Sequence, residues 1–303
     1  MKNNRIINQL DVLLPCIDAQ RLIHGRGGLI TGFEQVNIEI YSQVLWVIVY
    51  QAIDESPLYE MLDLAKVNMA KWGVDHIYIQ RRFEKGNPVE VFAGTDALVD
   101  SEFETQENDL NYLVNLGRNQ NTGLFLDMVN GRKWLQDNSR KKSVLNLFSY
   151  TCSLGVSAAS GGASQIVNID MAKGAIKKGQ QNFALNNLNG VFIAQDIFKM
   201  VKKLTLKGPF DILVADPPSF QSKAFDVRKD YKKLLVKLKP ALADNAKLML
   251  CLNSPLLDTQ FIHDMVEEVY EGKAHFITRL ENPEMLADVN EEASLKVMLY
   301  QLA

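Results

Sequence analysis

The phrase Asp216-Pro217-Pro218-Ser219-Phe220 closes the apolar run Phe210-Asp211-Ile212-Leu213-Val214-Ala215. A buried strand that ends in an acid, two prolines and an aromatic presents a rigid tip able to grip a flat substrate. Proline fixes φ and lacks a backbone donor, so two in succession give an extended segment whose carbonyls are free to accept hydrogen bonds. Phe220 adds a ring face for stacking, and Asp216 a carboxylate. The plainer alternative is a strand stop, since Asp and Pro are common turn residues.

Three earlier apolar runs end in polar groups of the same kind. Val144-Leu145-Asn146-Leu147-Phe148 leads into Ser149-Tyr150-Thr151-Cys152-Ser153-Leu154-Gly155. The next run ends in Asn168-Ile169-Asp170, 24 residues after Asn146, and a third in Gln195-Asp196-Ile197-Phe198. Asp170 could hold both hydroxyls of a ribose, as the acidic residue of dinucleotide folds does. Asp196 could accept from an adenine amino group, with Ile197 against the ring. Each aspartate alone reads more readily as a helix N-cap; their succession favours a nucleoside pocket. A dinucleotide would want Gly-x-Gly-x-x-Gly for its pyrophosphate. The loop after Phe148 offers only Gly155 among aromatics. S-adenosylmethionine has no pyrophosphate, and its amino-acid end can lie against such a turn.

The elements that must carry these residues follow from the rhythm of the chain. Strands are expected at Val144–Phe148, Gln165–Asp170, Val191–Ala194, Asp211–Ala215 and Ala246–Leu252. Helical patterns fill the gaps at Leu154–Ser160, Ala172–Asn187, Ile197–Leu204, Asp226–Lys239 and Asp258–Tyr270. Such alternation implies an α/β fold, a doubly wound parallel sheet. His275–Leu280 and Ser294–Gln301 follow without an intervening helix, so the last strand should run antiparallel and bring the sheet to seven strands. Before residue 110, Val36–Tyr41, Gln43–Gln51 and His76–Gln80 read as strands and Leu58–Trp72 as a helix. The expected division is a small α+β domain over 1–110 and a catalytic domain over 111–303, with a helix from about Leu126.

Bulk properties narrow the classes. The 303 residues are 47% hydrophobic and 23% charged, as in an ordinary soluble protein, and no window suits a membrane span. The N-terminal 22 residues lack a secretory core. Cys16, Cys152 and Cys251 are scattered, as are the four histidines, which disfavours disulfides and metal sites and suits a reducing cytoplasm. Net charge is −3, yet Lys199 to Lys239 holds 11 basic against 4 acidic residues, leaving −10 elsewhere. This stretch brackets Asp216. It reads either as a phosphate-binding footprint or as a solvated helix face. A homodimer is compatible with the sequence, which does not set the oligomeric state.

The order of motifs resembles class I S-adenosylmethionine-dependent methyltransferases, and more closely the bacterial 23S ribosomal RNA large-subunit base methyltransferases. Asn119-Gln120-Asn121-Thr122-Gly123-Leu124-Phe125-Leu126-Asp127, Leu145-Asn146-Leu147-Phe148-Ser149-Tyr150-Thr151 and Asp216-Pro217-Pro218-Ser219-Phe220 carry the resemblance, which covers roughly residues 25 to 303. It implies a Rossmann-like sheet, S-adenosylmethionine as cofactor and RNA as partner. Around the cofactor it implies Phe125, Asp127, Arg132, Asn146, Phe148, Ser149, Tyr150, Asp170, Met171, Asp196, Ile197 and Asp216. Some relatives carry an additional N-terminal RNA-binding module; with about 25 residues available there, its absence is expected.

Two chemistries occur among the similar enzymes. A cytosine C5 carbon must be activated by cysteine addition at C6. A ring nitrogen has a lone pair and needs mainly alignment, worth roughly 7–11 kcal/mol as effective molarity. Carbon-methylating relatives carry their cysteine at the end of the fifth strand, a position that falls here on Asn253, with Cys251 about 6–7 Å deeper along the strand. Nitrogen-methylating relatives have Asn near this place. Asp216, Pro217, Phe220 and Asn253 are therefore the expected catalytic residues, and a guanine nitrogen, N7 especially, the expected target. Ser219 between the prolines and Phe220 departs from the amino-group methyltransferases and agrees with the 23S group. The rivals are cytosine C5 methylation through Cys251, a small-molecule or protein methyltransferase, and a nonenzymatic binder that keeps the fold. A nicotinamide dehydrogenase fails on glycine spacing.

Overall fold

A computed structural model describes residues 2–117, 120–221 and 225–303, with side chains from residue 6 onward. Asn119 of the first resemblance phrase and Lys223 of the basic stretch lie outside the described residues. The chain divides into two compact units, Met1–Leu126 with Pro283–Val289, and Asp127–Asn282 with Asn290–Ala303.

In the first unit, helix α1 (Lys2–Leu13) precedes strand β1 (Gln20–His24), the hairpin β2 (Val36–Tyr41) and β3 (Val44–Val49), helix α2 (Ser56–Trp72), β4 (His76–Arg81) and β5 (Val89–Ala93). The five strands lie in that order, antiparallel except for the β3–β4 pair. Parallel pairing needs a crossover, and α2 supplies it. Alternation along the strands decides the faces. Val36, Ile38, Ile40, Leu45, Val47, Val49, Ile77 and Ile79 join Ile6 and Leu10 of α1 and Leu58, Met61, Leu62 and Ala65 of α2 in one core. The alternate positions of the same strands include Asn37, Glu39, Tyr41, Trp46, Tyr78 and Gln80, equally buried but polar or aromatic, beside Val44 and Ile48. A separate hairpin, β6 (Glu102–Glu107) and β7 (Leu110–Asn115), turns through Asn108 and Asp109, both at positive φ. Two such residues in a two-residue loop match the twist of the flanking strands. Residue 110, the expected boundary, opens β7 inside the first unit, which runs on to Leu126.

The second unit contains α3 (Val129–Asn138), β8 (Ser143–Leu147), α4 (Ser153–Ser160), β9 (Gln165–Asp170), α5 (Lys173–Leu185), β10 (Val191–Ala194), α6 (Ile197–Lys207) and β11 (Phe210–Ala215). Two-residue strands β12 (Phe220–Gln221) and β13 (Phe225–Asp226) pair with each other ahead of α7 (Val227–Leu238). The unit continues with β14 (Leu242–Leu252), α8 (Thr259–Tyr270), β15 (Ala274–Leu280) and β16 (Lys296–Leu302). The sheet order is β10-β9-β8-β11-β14-β16-β15, parallel through β14 and antiparallel on both sides of β16. This is the doubly wound seven-stranded sheet that the strand-helix alternation implied. Near-continuous apolar runs such as Ile212–Ala215 and Leu248–Leu252 arise because both faces of the sheet are covered. From β8 the chain winds outward to β10, then returns to β11 on the other side. The strand order thus reverses between β8 and β11, where open sheets of this kind hold their ligands.

Candidate functional site

Register aligns the strand tips. Leu147 of β8 pairs with Ala215 of β11 and with Ile169 of β9, and Ala215 pairs with Leu250 of β14. One residue further along each strand, Asp170, Phe148, Asp216 and Cys251 therefore form a row across the switch point. Three of the four phrases singled out in the sequence supply Asp170, Phe148 and Asp216 of this row, and β14 supplies Cys251.

The loop after β8 has an unusual backbone. Phe148, Tyr150 and Cys152 have φ of 56°, 46° and 61°, a region that side chains other than glycine seldom enter. Alternate residues in such a conformation cost energy and persist only where neighbours fix them. The fixing bonds run from Ser149 N–H to Ile169 O (3.0 Å) and from Tyr150 N–H to Asp170 Oδ2 (2.9 Å). Asp170 Oδ1 accepts from Ala172 N–H at 2.8 Å. Asp170 thus anchors the loop and the start of α5 with one lone pair on each oxygen, and each oxygen retains a second. Asp170 does not cap α5, whose N-cap is Ala172, but its turn bonds and a ribose grip are compatible on the same carboxylate. Asp196 caps α6 through Phe198 N–H (2.9 Å), with Ile197 buried behind it. Met171 is exposed beside Asp170.

Beneath the loop, Asn146 Nδ2 donates to Asn168 Oδ1 at 2.9 Å, both side chains being fully buried. A β-carbon on Gly155 of α4 would come within 2.1 Å of that same oxygen. The single glycine of this loop region therefore serves close helix–sheet packing and not a pyrophosphate. Ser149 is buried, Tyr150 half-buried, and Phe148 meets Phe225 edge-on with ring centroids 5.0 Å apart.

At the tip of β11, Asp216 is half-buried and Pro217 buried. Loss of water around it, and then the nearby Asp127 carboxylate, push the Asp216 carboxyl up to about 7. Asp127 lies in a short turn of 3-10 helix, Leu126–Met128, ahead of α3, whose Arg132 is fully buried. Ala215 O accepts from the Tyr231 hydroxyl at 2.9 Å, pinning the strand end to α7. The Ser219 hydroxyl donates to Asn253 O, tying the Pro-Pro segment to the end of β14. Lys296, fully buried, donates to Ser254 O at 2.9 Å and fixes the next residue. Phe220 is 70% exposed and Asn253 is exposed as well, so both side chains border open space.

Cys251 lies one strand step below that rim, fully buried. Burial, with Asp216 and Asp127 adding to it, drives its thiol well above the ordinary cysteine range. Cys152 behaves likewise, pushed up to about 12 mainly by burial. A nucleophilic cysteine needs thiolate character and access; neither residue has them. Among the described residues no three His, Cys, Asp or Glu side chains group as a metal site, and no helix is long and apolar enough to cross a membrane.

Of the expected site residues, Asp127, Arg132, Asn146, Phe148, Ser149, Tyr150, Asp170, Met171, Asp196, Ile197, Asp216, Pro217, Phe220 and Asn253 belong to the second unit; Phe125 alone belongs to the first, where it is exposed. Phe225, Tyr231, Asn168 and Lys296 support the site and escaped the sequence reading. Tyr231 sits at helical core spacing, and the others resemble ordinary strand or loop residues. The basic stretch is partly neutralised: Lys229, Lys232 and Lys233 on α7 pair with Asp226, Glu268 and Asp230.

The converging carboxylates test whether a cationic donor fits. The Asp127 carboxylate raises the cost of ionising Asp216 at the switch point, which an ammonium or sulfonium group would relieve. S-adenosylmethionine carries both, and its nucleoside would meet Asp170 and Asp196. Residues 20–301 match the family model of S-adenosylmethionine-dependent methyltransferases, and the chain belongs to that family. S-adenosylmethionine is accordingly its methyl donor. Bacillus subtilis YwbD, which bears the name of a ribosomal RNA large subunit methyltransferase, is 30% identical over 93% of this chain and 74% of its own length. Ribosomal RNA large subunit methyltransferase K/L of Psychrobacter arcticus is 43% identical over 40% of this chain. The chain spans only 17% of that longer relative. Among solved structures, SMU.776 complexed with SAH superposes with a TM-score of 0.82 at 26% identity, over 99% of this chain and 79% of the other.

Proposed function

We propose that this protein transfers a methyl group from S-adenosylmethionine to a guanine nitrogen of RNA, N7 especially, with 23S ribosomal RNA in the cytoplasm as the target. The observation that carries the choice of atom is the contrast at the end of β14. Cys251 is buried with its thiol held protonated, whereas Asn253 stands exposed at the rim. The names of the relatives, ribosomal RNA large subunit methyltransferases, support the choice of RNA.

The donor supplies an electrophilic methyl on a sulfonium. Asp170 and the Phe148–Tyr150 loop hold the nucleoside end, Asp196 and Ile197 the adenine, and Asp127 with Asp216 the cationic end. The target base, taken out of its stack, rests on Phe220. Asp216 accepts from its N–H edge, and the Pro217 carbonyl and the Asn253 amide serve its remaining polar groups. Guanine N7 bears no proton, so no general base is required. The work of the site is alignment and stabilisation of the charge that the base acquires.

Cys251→Ala separates this reading from cytosine C5 methylation. With labelled donor and unmodified ribosomal RNA, the variant is expected to transfer label at a rate within about twofold of the parent. Label lost while donor binding persists would establish the cysteine route. Label on small molecules or proteins but not on RNA would move the substrate class.

A further inference from the structure

In the first unit, β1 and β3 both run antiparallel to β2, and β4 runs parallel to β3. The C-terminal ends of β1, β3 and β4 therefore emerge at one edge of the five-stranded sheet. Arg26 follows β1, Tyr50 follows β3 and Arg82 follows β4. The Arg26 guanidinium carbon lies 4.3 Å from the Tyr50 ring centroid, and that of Arg82 lies 5.2 Å away.

A layer of buried polar groups holds this arrangement. Asn37, 1% exposed, donates to the Tyr50 hydroxyl (3.3 Å) and accepts from the Arg26 backbone N–H (3.4 Å). Gln80, 0% exposed, accepts from Arg82 Nε at 3.0 Å, and Arg82 Nη2 donates to Gln120 O at 2.6 Å. Charge is distributed unevenly here. Arg21 is paired with Glu39, and Arg81 with Glu55 and Glu90. Neither Arg26 nor Arg82 forms an ion pair with a carboxylate among the described residues. Burial holds His24 neutral, down to about 4, so it adds no charge at neutral pH.

Two guanidiniums over one tyrosine ring, without a carboxylate partner among the described residues, leave positive charge that an anion would offset. Arginine forks match phosphate oxygens bidentately, and the exposed Arg26 has its fork open. The ring faces are engaged by guanidinium, which suits a backbone contact more than a stacked base. We propose that Arg26 and Arg82, held by Tyr50 as a positioning residue, bind a phosphodiester of the RNA substrate. This inference rests on the reading of RNA as substrate.

The test uses the full chain and unmodified 23S ribosomal RNA, with affinity measured across a series of KCl concentrations. Each phosphate contact contributes about 0.7–0.9 to the slope of log K against log salt. Arg26→Gln with Arg82→Gln is expected to flatten that slope by roughly 0.7–0.9 and to raise KM for RNA, with calorimetric affinity for the donor unchanged. Arg26→Gln alone removes an exposed side chain and should flatten it by about half as much, whereas Arg26→Lys retains the slope. Unchanged slope and KM in Arg26→Gln, with the parent binding RNA, would overturn the inference alone. A parent that binds no RNA at any salt would overturn the RNA reading with it.

Discussion

Replacing Asp216 with Asn is expected to slow methyl transfer by about 10²–10³-fold, the loss typical of one charge-stabilising group in a water-poor site. The same change should make the ligand-free protein more stable at pH 8. Asp216 has its carboxyl raised from 3.8 to about 7 by burial and by Asp127, so the folded state prefers it protonated. A carboxylate raised on folding costs stability when ionised. The cost is absent below about pH 4, grows as pH rises toward 7, and is complete above it. Three units would correspond to about 4 kcal/mol, and partial exposure reduces this to on the order of 1–2 kcal/mol. Thermal unfolding at pH 4 and pH 8 reads the difference directly. Parent turnover should rise with pH through about 7, and the variant should lose that inflection. A variant with the parent's rate, or destabilised equally at both pH values, would remove Asp216 from the account.

Asp170→Ala is expected to weaken donor binding by about 10–100-fold, in keeping with the roughly 1.5–3 kcal/mol of a hydrogen bond to a charged group. The variant loses any ribose contact and also the anchors on Tyr150 N–H and Ala172 N–H. Hydrogen bonds of this kind contribute about 0.5–1.5 kcal/mol each, so the melting temperature should fall as well. Asp170→Asn keeps an acceptor and should recover part of the stability but little of the affinity. Calorimetric titration with S-adenosylmethionine checks the first effect and thermal unfolding the second. Parent-like donor affinity in a folded Asp170→Ala protein would assign that carboxylate to loop support alone.

The sheet of the second unit was legible because its strands are short apolar runs bounded by turn residues, and the helices between them have clear amphipathic spacing. Gln165–Asp170 and Val191–Ala194 end where their polar residues predict. The less legible elements lie in the first unit. Helix α1 has Ile6, Leu10 and Leu14 at four-residue spacing, but its charges mask the pattern, and only packing against α2 makes it a core helix. Strand β6 reads Glu-Phe-Glu-Thr-Gln-Glu, with too little apolar content to announce itself, and hairpin pairing with β7 secures it. The site was visible as a succession of strand ends. What no spacing reveals is that Asp170 holds a strained loop, that Tyr231 pins the tip of β11, or that three lysines beside Asp216 already have partners. The Asp170, Tyr231 and Lys232–Glu268 contacts join residues 16 or more positions apart, which only the folded chain brings together, whereas Lys229–Asp226 and Lys233–Asp230 are local i,i+3 pairs of the helix.

Methylation of a guanine nitrogen in ribosomal RNA is the proposed activity. Its most direct test is mass spectrometry of nucleosides from 23S ribosomal RNA of cells with and without the gene, repeated after treating the deficient RNA with purified protein and donor. The account predicts one methylated guanosine missing from the deficient cells and restored in vitro. A missing 5-methylcytidine, or identical nucleosides in both cells, would contradict it.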